Sequence, residues 1–289
     1  MSQKCVDLHS HSTASDGTLA PADVARLAKQ AGLSAWALTD HDTVAGVEEA
    51  ARESAKIGVD FIPGIEISAD YPRPGTMHIL GYGVDPTNPA LAKLTETLLA
   101  GRDNRNPLIV EKLNELGVNV TMKEWEDEAK GNVLGRPQLA AILVRKGYVS
   151  SIKQGFDKYL GQGAPAYFDK ERLTPKQAIE RIKESGGVAV LAHPVQLRTQ
   201  SDAELERVIK DLVDLGLAGL EVMHSDHDPH TIEKLTRWAD RWNLLKTGGS
   251  DFHGTNKKDI DLGYVRGQRV PRVFFDELVA RHARMKKAG

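Results

Sequence analysis

Short apolar runs alternate along the chain with longer stretches whose apolar residues recur at helical spacing. That alternation predicts strands separated by amphipathic helices. The first strand is predicted over residues 4–8. A helix follows over 18–31, with Thr18 as its N-cap, Pro21 in its first turn and Gly32 as its stop. Strands are predicted over 35–39, 61–68 and 77–84, with a helix over 44–57 that Gly58 ends. Later the pattern reads as a helix over 175–184, a strand over 188–192, a helix over 202–215 and a strand over 220–223. A helix over 230–242, a strand over 245–248 and a closing helix over 274–286 complete it. Short apolar strands between amphipathic helices fit an α/β fold with a parallel sheet, closed or nearly closed into a barrel.

One region breaks the rhythm. Between residues 100 and 168 every segment reads as helical: 106–116, 122–129, 137–146 and 152–159, punctuated by Gly131, Gly135, Gly147, Gly161 and Gly163. The expectation is a barrel formed by 1–100 and 172–289, with a small helical subdomain inserted over 101–171 and forming part of the substrate site.

The 289 residues, 40% hydrophobic and 27% charged, suffice for one barrel-sized domain with a large core. A formal net charge of -2 gives no basic footprint, which argues against long DNA and membrane surfaces as partners. A small anionic substrate stays compatible, because a metal ion supplies positive charge locally. The single cysteine, Cys5, cannot form an internal disulfide and sits in an apolar run, so a buried core residue and a cytoplasmic setting are expected. No apolar run reaches membrane-spanning length, and a histidine motif beginning at residue 9 leaves no room for an apolar leader.

That motif is Asp7-Leu8-His9-Ser10-His11-Ser12. On an extended segment alternate side chains face the same way, so His9 and His11 can reach one ion. Similar groups recur at or just after predicted strands: Asp16, Thr39-Asp40-His41-Asp42, Gly64-Ile65-Glu66, His78, Ala192-His193-Pro194 and Ser250-Asp251-Phe252-His253. In parallel barrels functional groups gather at the C-terminal ends of the strands. The candidate metal ligands are therefore His9, His11, Asp16, His41, Glu66, His78, His193, Asp251 and His253. Imidazole with carboxylate suits manganese, zinc or iron, and the lack of cysteine ligands disfavours a structural zinc. Nine ligands are too many for one ion with an open position. Two or three divalent ions are expected, manganese first with zinc or iron as alternatives, and with Glu66 as the bridge.

These motifs, in this order, resemble those of the PHP (polymerase and histidinol phosphatase) superfamily across roughly 1–100 and 172–289. The resemblance implies a distorted TIM-like (β/α)7 barrel holding two or three metals. It places a first ion on His9, His11, Glu66 and Asp251, a second on Glu66, His78 and His193, and a third on Asp16, His41 and His253. The helical insertion with Leu134-Gly135-Arg136-Pro137 resembles the branch that removes the 3′-phosphate from nucleoside 3′,5′-bisphosphates, such as 3′-phosphoadenosine 5′-phosphate. Some of its members trim short RNA from the 5′ end. A histidine often follows Gly-Arg-Pro in that branch; here Gln138 does.

The expected activity is that of a metal-dependent phosphoric ester hydrolase. Hydroxide formed at a metal attacks phosphorus, the nucleoside alkoxide leaves and inorganic phosphate is released. Asp251, His193 and His224 are the catalytic candidates, either histidine able to protonate the leaving oxygen. Arg136 is the candidate clamp for the second phosphate and His224 a candidate substrate contact. Arg102 and Arg105 read as solvent-facing, His227, His230 and His282 as surface residues, and Lys257-Lys258 and Lys286-Lys287 as solvated. Trp125, Trp238 and Trp242 read as helix packing, and Tyr167 and Phe168 as stacking candidates. The alternatives are a phosphatase for another small phosphomonoester, as in histidinol phosphatases, or a 5′–3′ exoribonuclease on short RNA. A non-catalytic metal module is disfavoured because no ligand is missing. An amidohydrolase of C–N bonds is disfavoured because no strand-end lysine stands mid-chain.

Overall fold

The apolar runs assemble into one eight-stranded sheet in a computed structural model, which describes residues 4–72, 74–129, 133–169 and 172–288. Gly131, read above as a helix break, lies outside them. The strands are β1 (Cys5–Asp7), β2 (Ala35–Leu38), β3 (Asp60–Ala69), β4 (Met77–Tyr82), β5 (Val188–Leu191), β6 (Gly219–His224), β7 (Leu245–Gly249) and β8 (Val270–Pro271). Their order is β7-β6-β5-β4-β3-β2-β1-β8. The sheet curls back on itself beyond β1. Leu8 N–H donates to Gly248 O (3.0 Å), Asp251 N–H to His9 O (2.9 Å) and His11 N–H to Phe252 O (2.9 Å). The two-residue β8, absent from the sequence expectation, pairs antiparallel with the start of β1.

The expected barrel is present, with one departure that matters for the site. β4 runs antiparallel to both β3 and β5, while β1–β2–β3 and β5–β6–β7 are parallel. In register, Ser68 near the end of β3 faces His78 near the start of β4. The reversal brings His78 to the rim where β3 ends. An all-parallel strand would carry it to the opposite rim.

The helices cover the strands for the reason their patterns give. α1 (Pro21–Gln30) and α2 (Val47–Ile57) bury one face each, and Trp36 of β2, fully buried, donates its Nε1–H to Ser54 Oγ of α2 at 2.9 Å. Gly32 and Gly58 end their helices at φ 71° and 70°. Thr18 is not the N-cap of α1. The helix starts at Pro21, which has no N–H to cap, and Thr18 Oγ1 accepts instead from Thr255 N–H at 2.9 Å. Cys5 is buried in the core. α7 (Pro175–Glu184), α8 (Asp202–Asp214), α9 (Pro229–Arg241) and α10 (Arg272–Ala288) follow in the second half. No helix among the described residues is long and apolar enough to cross a membrane.

Contacts divide the chain into a unit of Met1–Thr95 with Leu173–Gly289 and a second unit of Glu96–Arg172. The second has its own apolar core, including Ile109, Leu113, Trp125, Leu139, Leu143 and Leu160. One 27-residue helix, α3 (Pro89–Glu115), runs where only 106–116 was expected. Pro107 removes the bond to the carbonyl of Asp103, but both residues are exposed and water can satisfy it. α4 (Met122–Ala129), α5 (Arg136–Arg145) and α6 (Ile152–Gly155) follow, the last continuing as a wider helical turn over Phe156–Leu160.

Gly249 sits where β7 meets β1. A Cβ there would collide with the backbone nitrogen of His9 and lie 2.5 Å from His9 Cβ and 2.7 Å from Asp7 Oδ1. Gly249→Ala should cost about 1–3 kcal/mol of stability, as overpacking typically does. Urea unfolding at unchanged m-value checks it; an unaltered midpoint would contradict the close strand approach.

Candidate metal centre

Three buried carboxylates shape the backbone of the ligand loops before any ligand is considered. Asp7 accepts from the N–H groups of His9 (3.1 Å), Ser250 (3.0 Å) and Gly263 (2.6 Å). Asp40 accepts from Ser12 N–H (2.8 Å), Ser12 Oγ (2.7 Å) and Ser15 Oγ (2.5 Å). Asp42 accepts from Ser68 N–H at 3.0 Å. Each ties one ligand-bearing segment to another, so their carboxylates orient backbone and leave the ligand side chains free to converge. Three residues near the ligands, Asp42, His193 and Asp251, hold positive φ of 59°, 23° and 58°. Non-glycine residues rarely adopt that backbone, and it persists where the surroundings over-determine it.

Glu66 lies at the centre, fully buried on β3. Its Oε2 faces His9 Nε2 (3.3 Å), His11 Nε2 (3.2 Å) and His41 Nδ1 (3.0 Å). Its Oε1 faces His78 Nδ1 (2.8 Å) and His193 Nε2 (2.9 Å). Asp251 Oδ1 lies 3.2 Å from His11 Nε2 and 3.6 Å from His9 Nε2. Asp16 faces His253 Nε2 (3.3 Å), His11 Nδ1 (3.7 Å) and His41 Nε2 (3.9 Å). All nine sequence candidates therefore meet at one rim.

The donor atoms fit metal ions. His9 Nε2, both ring nitrogens of His11, His41 Nδ1 and Glu66 Oε2 are buried without a hydrogen-bond partner. They lie within ion-pair distance of one another but outside hydrogen-bonding geometry, so the short separations do not satisfy them. Unsatisfied buried groups of this kind are costly, and cations among them would engage the free nitrogen lone pairs and the carboxylate oxygen. Compact donor sets among the described residues are His9, His11 and Asp251; His9, Glu66 and His193; His41, Glu66 and His78; His11, Asp16, His41 and His253; and His9, Glu221 and His224.

Charge follows the same geometry. Burial alone would push Glu66 up, but His41, His78 and His9 hold it well below the usual carboxylate range. Burial is likewise outweighed at Asp251 by Lys257, His253 and His9, and at Asp16 by His253, His41 and His11. Burial opposes charging of His9, yet Glu221, Glu66 and Asp251 hold its pKa well above the ordinary value. His11 and His41 are also raised against their burial, by Asp251 and Glu66 and by Glu66 and Asp16 respectively. His193 is different: burial lowers it to about 4.

Several residues stand elsewhere than expected. Glu221, not singled out in the sequence, is fully buried, lies 3.0 Å from His9 Nδ1 and accepts from His193 N–H at 2.7 Å. It orients the ring of His9 and the backbone of His193, and a lone carboxylate inside the apolar run 220–223 was its only signal. His224 joins the cluster, its Nε2 3.3 Å from Asp251 Oδ2 and its Nδ1 accepting from Asp226 N–H at 3.0 Å. His227 is buried, not superficial; its Nδ1 lies 3.0 Å from Val222 O, and its ring 5.4 Å from that of His224. His230 is exposed and His282 half-buried. Lys257 is not simply solvated, since its Nζ lies 2.5 Å from Asp251 Oδ2.

Within the second unit, Arg136 Nη1 donates to Leu160 O (3.0 Å) and its guanidinium lies 5.0 Å from the Tyr167 ring centre. Arg105 is 4% exposed rather than solvent-facing, and donates to Asn106 Oδ1 from Nε (3.1 Å) and Nη2 (2.7 Å). Burial, then Arg136, Arg102 and Arg172, lower its pKa to about 9. Gln138 accepts from Gly135 N–H at 2.9 Å and steadies the start of α5. Phe168 packs on the unit's apolar core.

Comparison with known proteins agrees with this geometry. The chain is 36% identical over 250 residues to a 5′-3′ exoribonuclease of Haemophilus influenzae, covering 86% of this chain and 90% of that one. It is 34% identical to a 3′,5′-nucleoside bisphosphate phosphatase of Chromobacterium violaceum, over 96% of this chain and 97% of that one. The crystal structure of a protein described as a metal-dependent phosphoesterase from Bifidobacterium adolescentis superposes with a TM-score of 0.86 at 30% identity, covering 97% of each chain. The PHP domain model matches residues 7–214, and the chain belongs to that family.

Proposed function

We propose that the chain is a metal-dependent phosphoesterase that removes the 3′-phosphate of nucleoside 3′,5′-bisphosphates, leaving the 5′-monophosphate and inorganic phosphate. One observation carries the reading. Five imidazoles face Glu66, and Asp16, Asp251 and His253 adjoin the same cluster, in a chain aligned end to end with a bisphosphate phosphatase. The likeness to an exoribonuclease favours a second reading, stepwise hydrolysis of short RNA by the same site.

In this proposal His9, His11, Glu66 and Asp251 would hold one ion, Glu66 with His78 and His193 a second, and Asp16, His41 and His253 a third. Manganese is proposed, with zinc or iron as alternatives. Bound divalent ions would lower the pKa of water and neutralise phosphoryl oxygens. The chain's own residues handle the leaving group. Water oxygen bonds to phosphorus, the ester P–O bond breaks with its electron pair on O3′, and that oxygen needs a proton. His193 is a poor donor, because its Nε2 is committed to Glu66. The Nδ1 of His224 accepts from Asp226 N–H, which leaves the ring proton on Nε2, facing Asp251. His224 is therefore proposed to donate a hydrogen bond from Nε2–H to the departing O3′, and the proton that O3′ finally carries comes from the attacking water.

The second phosphate is assigned to Arg136. The supporting feature is local: Arg136, Arg102 and Arg172 gather positive charge around the buried Arg105 and lower its pKa, while Arg172 is paired with Asp169. The reading includes a cytoplasmic location, for which the lone unpaired cysteine is support.

Three outcomes are expected. Asp251→Ala should lower turnover by roughly 10³-fold or more with an unchanged circular dichroism spectrum; phosphate release assays check it, and retained activity would refute the ligand assignment. Arg136→Met should raise KM for a bisphosphate about tenfold or more while barely altering that for a nucleoside 3′-monophosphate. Equal effects on both substrates would remove the clamp. Manganese titrated into metal-free protein at neutral pH should release protons, because His9, His11 and His41 are raised and hold protons that the ion displaces. Glu66, Asp251 and Asp16 are depressed and already ionised, so they contribute none. Affinity should accordingly fall as pH falls, and calorimetry in two buffers of different ionisation enthalpy measures the release.

A further inference from the structure

Lys257 lies beyond the motif that marks His253, yet the chain is built to turn it inward. The turn Gly254–Asn256 is fastened to the segment carrying Asp16. Thr255 N–H donates to Thr18 Oγ1 (2.9 Å) and Asn256 Nδ2 to Asp16 O (2.8 Å). Gly254 adopts φ 65°, and a Cβ there would collide with Thr18 Oγ1. Lys258 points to solvent from the same stretch.

Asp251 uses its two oxygens differently. Oδ1 faces the imidazoles of His11 and His9 at 3.2 and 3.6 Å, whereas Oδ2 faces Lys257 Nζ at 2.5 Å and His224 Nε2 at 3.3 Å. The ammonium therefore does not compete with the donor set for Oδ1. An ammonium carries three N–H donors, and Asp251 takes one. The Lys257 side chain is 40% exposed against 7% for Asp251, so its remaining donors stand at the mouth of the site.

We propose that Lys257 is a catalytic residue whose ammonium contacts a non-bridging oxygen of the phosphoryl group as that group passes from the ester oxygen to water. The inference rests on the phosphoesterase reading above. Lys257 makes and breaks no covalent bond and keeps its protons; it supplies a fixed positive charge where negative charge concentrates. Asp251 fixes its direction in advance, which is what makes such a charge effective in the transition state. Lysine is suited to this as a compact point charge on phosphate.

The test compares wild type with Lys257→Met, Lys257→Gln and Lys257→Arg, all loaded with manganese. Metal content, melting temperature, the Kd of inorganic phosphate by calorimetry, and kcat and KM on a nucleoside bisphosphate are measured. Lys257→Met should keep its metal and melting temperature, weaken phosphate binding about tenfold and lower kcat about 100-fold. Lys257→Gln should lie close to it, because a donor without charge is not enough, and Lys257→Arg should recover most of the loss. Phosphate affinity and kcat within twofold of wild type in Lys257→Met would overturn the proposal. So would metal loss in step with activity, which would make Lys257 a support for Asp251. The phosphate titration needs no substrate. If wild type hydrolyses no bisphosphate, the substrate reading falls, while weakened phosphate binding in Lys257→Met still supports the role of the ammonium.

Discussion

A carboxylate with no access to water, Glu66, faces five imidazoles, three on one oxygen and two on the other. In the barrel interior such a charge is tolerable only with close compensation. The compensating groups come from β1, β2, β4 and β5 and the segments next to them, so satisfying Glu66 requires the barrel to curl and its loops to meet. Conversely, each histidine is buried beside others of its kind, and clustered cations would repel without the carboxylates between them. The site and the closed sheet are two descriptions of one electrostatic condition.

Holding that arrangement requires a second set of carboxylates that never face an ion. Asp7, Asp40 and Asp42 spend their oxygens on backbone N–H and hydroxyl groups of the ligand segments. Backbone strain at His193 and Asp251 is the local cost of this precision. Glu221 adds the last constraint by fixing the ring of His9 from behind, through the nitrogen that faces away from Glu66.

How much of this was legible depends on the range of the signal. His-x-His, Thr-Asp-His-Asp and Ser-Asp-Phe-His are local patterns whose chemistry is written in adjacent residues, and so the nine donors could be named. The reversal of β4 has no local signature, since an apolar strand reads alike in either direction; His78 could be named but not its route to the rim. Lys257 was misread because a Lys-Lys pair after a loop carries no sign of which member turns inward; that depends on Thr18 and Asp16, more than 230 residues away. Arg105 looked solvent-facing because Gly101-Arg102-Asp103-Asn104-Arg105 is polar, yet helical rotation of α3 buries one arginine against Asn106. His227 lacked a strand context, and only the end of β6 places it behind His224.

The two oxygens of Asp251 explain why the chemistry need not be shared evenly among the histidines. One oxygen belongs to the donor set of His9 and His11; the other collects His224 and Lys257. An imidazole and an ammonium thus meet on one oxygen of one carboxylate. His193 illustrates the contrast, since its Nε2 is occupied by Glu66. Under the proposed function, the division of labour between holding ions and handling the departing oxygen would follow from which carboxylate each side chain touches, with Asp251 where the two tasks meet.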